Sequence, residues 1–142
     1  MSCLSGILFF VTVFALQADD GRSRLVGTWA SGASADARGT WVLTAPGEAM
    51  HITYLQNDQK VSEFECNTVG RECQSKQSGK PVKVSMWFNG PKLVVMETRG
   101  SDVVKRRFHV SDDGQKLELE TIPIVPQGKS ETVQLTRSPD SH

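Results

Sequence analysis

Between Pro81 and Thr121 the chain alternates apolar and polar residues in stretches broken at Asn89-Gly90, Arg99-Gly100 and Asp113-Gly114. Period-two alternation places successive side chains on opposite faces of a strand, and each Gly-containing pair supplies the backbone freedom of a tight reversal. The segment therefore predicts an antiparallel meander. Two-residue turns at those dipeptides would set Met86 opposite Leu93, Val95 opposite Val104 and Phe108 opposite Leu119. One face then collects Val82, Val84, Met86, Phe88, Leu93, Val95, Val104, Phe108, Val110, Leu117 and Leu119. The other face sets Arg107 against Glu120 and His109 against Glu118, which are favourable cross-strand charge pairs. Pro91 cannot donate beside the Asn-Gly pair, so a four-residue loop is the alternative at that turn. A meander with one continuous apolar face closes most simply into a barrel or a sandwich with an interior.

The flanking sequence extends the pattern. Strands are expected from Leu25 through Trp29, over Thr40 to Thr44, Glu48 to Leu55 and Lys60 to Asn67, and at Thr132 to Arg137. A reversal at Pro46-Gly47 pairs Trp41 with Ile52 and Leu43 with Met50, and puts Trp41, Leu43, Met50, Ile52 and Tyr54 on one face. The register after Asn57-Asp58 stays open, because a one-residue slip exchanges inner and outer sets. Ser31 to Gly39 reads as a loop, Gln74 to Lys80 as an exposed polar segment, and Ile122 to Pro126 as an extended connection outside any central ladder. The fold expected is all-β, an antiparallel up-and-down meander closing into an 8–10-stranded barrel, with one domain over residues 25–137. A flexible leader at 19–24 and a disordered tail at 138–142 flank it.

Gly6 to Leu16 is an apolar run of eleven residues, suited to a signal-peptide core and too short to cross a bilayer. Residues 1–18 are accordingly expected to form a signal peptide cleaved after Ala18. Cleavage after Ala15 is the alternative, and an uncleaved anchor is the rival reading. Cys3 precedes the apolar core and cannot be a lipid-attachment site. The mature chain would hold only Cys66 and Cys73, an even pair in a secreted or periplasmic protein. A two-residue turn at Val69-Gly70 would place them opposite each other, within disulfide reach. Zinc is disfavoured because His51, His109 and His142 show no ligand spacing with them.

Sixteen basic and sixteen acidic residues balance, and the pI is near 6.8. Without a basic stripe, nucleic acid is not an expected partner. No metal or cofactor is implied. The chain lacks the nucleophile elbow, zinc-protease, phosphate-loop and dinucleotide motifs, so no catalytic residues are assigned.

Two charges break the apolar face, Arg106 in mid-strand and Glu97 on its neighbour, with Thr121 opposite Arg106. A buried guanidinium needs a carboxylate or water. Arg106 could anchor an anionic head group with Thr121 as a hydroxyl donor, or pair with Glu97 at a wet barrel end. The lining expected for a ligand is Val84, Met86, Val95, Phe108 and Leu119. On the outer face Trp87, Val94, Met96 and Val103 form an apolar patch that could meet a protein partner or lie under another part of the chain.

Leu25-Val26-Gly27-Thr28-Trp29 resembles the Gly-x-Trp opening of lipocalins and fatty-acid-binding proteins. The resemblance implies that Trp29 closes one barrel end against an Arg of the last strand, here Arg137, and that the interior holds a small hydrophobic ligand. The chain lacks a clear helical lid or C-terminal helix of those families. The function expected is an exported, non-catalytic carrier of a small hydrophobic or amphipathic ligand. The alternative is a protein-interaction module, such as a secreted protease inhibitor whose leader enters its target's cleft, or an envelope-associated barrel.

Overall fold

A computed structural model describes residues 21–31 and 39–139. The expected signal peptide and its cleavage sites, most of the Ser31 to Gly39 loop and the last three residues of the tail lie outside the described residues. The elements are α1 (Arg22–Leu25), β1 (Gly27–Ala30), β2 (Thr40–Thr44), β3 (Ala49–Gln56), β4 (Gln59–Asn67), β5 (Cys73–Gln77), β6 (Lys80–Asn89), β7 (Lys92–Arg99), β8 (Asp102–Val110), β9 (Lys116–Val125) and β10 (Glu131–Arg137). They make one antiparallel ten-stranded sheet in the order β4-β3-β2-β1-β10-β9-β8-β7-β6-β5. The β1–β10 pairing wraps the meander round, and only the β4 and β5 edges lack a shared ladder. The result is the nearly closed all-β barrel that the alternation implies.

The inner and outer faces fall as the sequence indicates, but three hairpins pair two residues further along. Met86 meets Val95, Val95 meets Arg106, and Leu43 meets Ile52. In the β6–β7 and β7–β8 hairpins the reversals are Gly90-Pro91 and Gly100-Ser101. Each Gly has a positive φ, 59° and 58°, as the first central position of a type II′ turn requires. The second central position has negative φ, which suits Pro91. A shift of two residues preserves the face, so the core is unchanged. The β8–β9 hairpin keeps the expected register, with Phe108 against Leu119 and Arg106 against Thr121. On its outer face Arg107 Nη1 donates to Glu120 Oε1 at 2.9 Å.

Three segments differ from the sequence reading. Gln74 to Gln77 belongs to β5 rather than to an exposed connection. Strand β9 runs on through Pro123 to Val125 past a bulge opposite Val103/Val104. Strand β10 reaches only Thr121, so Pro123 has a single neighbouring strand and removes nothing from a central ladder. Where the sequence suggests a flexible leader, Arg22 to Leu25 form a helical turn with Leu25 buried. Arg22 Nη1 donates to Gly47 O at 3.1 Å, and Arg24 Nη2 donates to Ser111 O at 2.8 Å.

That turn caps one end of the barrel. Trp29, fully buried, donates from Nε1 to Leu25 O at 3.0 Å. The Arg137 guanidinium lies over its ring, 4.2 Å from the centroid, and donates to Gly114 O, Val26 O and Arg24 O. Gly27 has φ +150°, and a Cβ there would collide with the Arg137 guanidinium. The glycine of the Gly-x-Trp sequence is thus the space into which Arg137 fits. Leu43, Met50, Ile52, Phe64, Val110 and Leu117 fill this half of the barrel.

Candidate functional site

The opposite half is hollow. A cavity of about 750 Å³ is lined by residues that include Trp41, Tyr54, Ser62, Gln77, Arg106, Leu119 and Thr121. Exposed Val61, Arg99, Glu131 and Thr132 also line it, at the end opposite α1. Of the expected ligand-lining residues, Leu119, Arg106 and Thr121 reach the cavity, whereas Val84, Met86, Val95 and Phe108 are buried in the core. Alternation marks which side chains point inward, but not how deep the packed core rises, so it could not separate these two sets.

The cavity floor is aromatic. Trp41 stacks on Tyr54 with centroids 4.6 Å apart and meets Phe108 edge-on at 5.6 Å. Arg106 Cζ stands 5.8 Å from the Trp41 centroid, within reach of a cation–π attraction. Arg106 Nη1 donates to Glu97 Oε1, and Arg99 Nη2 donates to Glu97 Oε2 at 3.1 Å. Glu97 is only 3 % exposed and its backbone lies between Val84 and Val104. A carboxylate so placed needs its two guanidinium partners. Arg106 therefore lines the cavity and is paired with Glu97, the ion pair that the second sequence reading describes. Arg99, invisible as a site residue while its register was two residues out, completes it.

The β4–β5 seam forms part of the wall. The Cys66–Cys73 disulfide joins the two edges with Cα atoms 5.8 Å apart. Above it Ser75 Oγ donates to Glu63 O at 3.0 Å, and Gln77 Nε2 donates to Val61 O at 3.2 Å. The expected bridge is present, but no hairpin makes it. Val69 pairs instead with Trp87, and Gly70 N donates to Met86 O at 2.8 Å, drawing the connection onto β6. Outside the barrel, Val94 of the apolar patch is buried, and Trp87, Met96 and Val103 are half-buried. No group of three or more potential metal ligands occurs among the described residues.

No protein-family model and no curated protein matches the sequence. Solved structures match through the fold. The REP1-NXSQ fatty acid transporter has a TM-score of 0.65 at 14 % identity, over 84 % of this chain and 99 % of its own. A secretory abundant heat soluble protein from Ramazzottius varieornatus gives 0.64 at 14 % identity, over 81 % and 96 %. Fatty-acid-binding protein 1 of Echinococcus granulosus gives 0.64 at 8 % identity, over 82 % and 99 %. The chain has the fold of the lipocalin-like fatty-acid-binding barrels. The likeness first suggested by Gly27-Thr28-Trp29 thus holds at the level of fold.

Proposed function

We propose that this protein is a non-catalytic carrier of a small, largely apolar ligand held inside the barrel. The observation that carries the reading is the cavity of about 750 Å³, within the size range of small-molecule sites, with Trp41, Tyr54 and Leu119 among polar side chains on its wall. The solved structures of like fold include proteins named as a fatty acid transporter and a fatty-acid-binding protein, which supports it. The apolar run from Gly6 to Leu16 and the disulfide support an exported carrier. The inhibitor alternative requires a leader free to enter another protein. Residues 22–25 are instead tied to the capped end of the barrel.

Nile red, an uncharged apolar dye whose emission rises in apolar surroundings, tests the reading. It should bind saturably, one dye per chain, and substitution of Val133, which also lines the cavity, by Trp (Val133→Trp) should weaken binding roughly tenfold or more by filling the space. Absence of saturable binding, or indifference to Val133→Trp, would overturn it. Native mass spectrometry of protein purified from its own host should show a retained small molecule.

A further inference from the structure

Resting on the cavity-binding reading above, we propose that the ligand enters and leaves where the β4–β5 seam parts at the mouth of the cavity, and that the Cys66–Cys73 disulfide is the stop that limits this parting. These two strands are the neighbours in the barrel that share no ladder. Their antiparallel course and the linked cysteines set Ser62 across the seam from Gln77, and both line the cavity. The seam therefore runs up the wall of the cavity itself, and parting it opens that wall to solvent.

What spans the seam changes along its length. At the bottom the disulfide holds the Cα atoms 5.8 Å apart. Two residues higher a serine side chain makes the crossing, with Ser75 Oγ donating to Glu63 O at 3.0 Å. Two residues higher again a longer side chain is used, with Gln77 Nε2 donating to Val61 O at 3.2 Å. The strands thus diverge toward the mouth, where Val61 is exposed on the rim. Both crossings are neutral side-chain hydrogen bonds, each a modest net contribution. The closed top also leaves Gln77 Oε1 buried with no hydrogen-bond partner among the described residues. A buried acceptor without a donor penalises the closed arrangement, and parting the strands lets water complete it. The bottom of the seam is the reverse. Behind the disulfide, Gly70 N donates to Met86 O and Val69 bridges to Trp87, which fastens the connection to β6. Opening is confined to the upper end, where the two flanking hairpins reverse at Asn57-Asp58 and Ser78-Gly79. A seam weak at one end and covalently closed at the other is a hinge with a fixed stop.

Stopped-flow fluorescence with Nile red measures association and dissociation rates in the wild type, in the double variant Cys66→Ala/Cys73→Ala and in Ser75→Ala. None of these three residues lines the cavity. Both rates should rise together, roughly fivefold or more in the double variant and roughly threefold in Ser75→Ala, the weight of one neutral hydrogen bond. Their ratio, and with it Kd, should stay within about twofold, because lowering a barrier speeds entry and exit alike. Ser75→Ala carries the test should the double variant fail to fold. Saturable dye binding with both rates unchanged in the variants would overturn the door and leave the carrier reading standing. Faster dissociation alone, with Kd weakened in proportion, would also overturn it, by showing that the seam shapes the cavity rather than access to it. Failure of Nile red to bind any of these proteins, with native mass spectrometry as a dye-free check, would overturn both.

Discussion

Arg137 covers the indole of Trp29 and at the same time hydrogen-bonds three backbone carbonyls from two other parts of the chain. It joins the last strand to the N-terminal turn and to the β8–β9 loop, the places where a wrapped meander would otherwise come apart. Its planar fork matters because Nε, Nη1 and Nη2 each reach a different carbonyl.

Arg137→Ala should therefore lower stability by about 3 kcal/mol, combining lost charged hydrogen bonds with the cation–π contact. Arg137→Lys should recover less than half of that, since an ammonium cannot span the three acceptors. Urea denaturation of the two variants checks both figures. A full recovery by lysine would show that charge alone matters there.

Gly27→Ala should disturb the same junction from the other side. The new methyl meets the Arg137 guanidinium, and the backbone at φ +150° is one that side-chain-bearing residues seldom adopt. A loss of about 2–3 kcal/mol is expected. In the Arg137→Ala background the loss should shrink to the backbone part alone, because the clash is gone. Equal losses in the two backgrounds would show that no clash occurs.

Inside and outside were legible in β2, β3 and β6 to β9, because the two-residue period of a strand survives any even slip in register, but not in β4, where a one-residue slip exchanges the faces. Met86 and Val95 were assigned to the correct face with the wrong partners, and Arg106 was placed opposite Thr121 correctly because the loop after Ser111 is centred on Asp113-Gly114. What the sequence could not carry was depth. Phe108 and Arg106 are adjacent on one face of one strand, yet the first belongs to the packed half and the second to the hollow one. That division depends on which residues arrive from distant strands, Trp41 and Tyr54 among them. Strand β5 was missed because Gln74 and Lys76 are polar on the outer face, while its inward positions, Cys73, Ser75 and Gln77, offer little apolar signal.

The disulfide lies at the one place where the ladder is interrupted. Replacing Cys66 and Cys73 together by Ala should cost about 2.5 kcal/mol by the chain-entropy estimate for so short a loop. The effect should also be local. Amide hydrogen exchange should accelerate along β4 and β5, whose facing edges share no ladder and are joined by the Ser75–Glu63 and Gln77–Val61 hydrogen bonds, before it does so in β8 and β9. Uniform acceleration across the barrel would contradict a role confined to the seam.

Glu63 gives the outer wall a defined pH response. Its carboxyl is held below the ordinary value of 4.5, first by the hydrogen bond from Lys60 and then by that from His51, whose Nε2 lies 2.7 Å from Oε1. A carboxylate whose folded pKa is depressed stabilises the fold above its unfolded value, and that contribution disappears as the pH falls through the lowered folded value. Wild type should therefore exceed Glu63→Gln in stability at pH 7, and the two should converge as the pH falls through the lowered folded value, where the carboxyl becomes protonated in both states. With the side chain 37 % exposed, solvent screening holds the difference at pH 7 to less than about 1 kcal/mol. Molar salt should reduce it further. Urea denaturation at pH 7 and pH 2.5 is the measurement, and a gap that widens on acidification would show that the Lys60 and His51 contacts do not stabilise the ionised form.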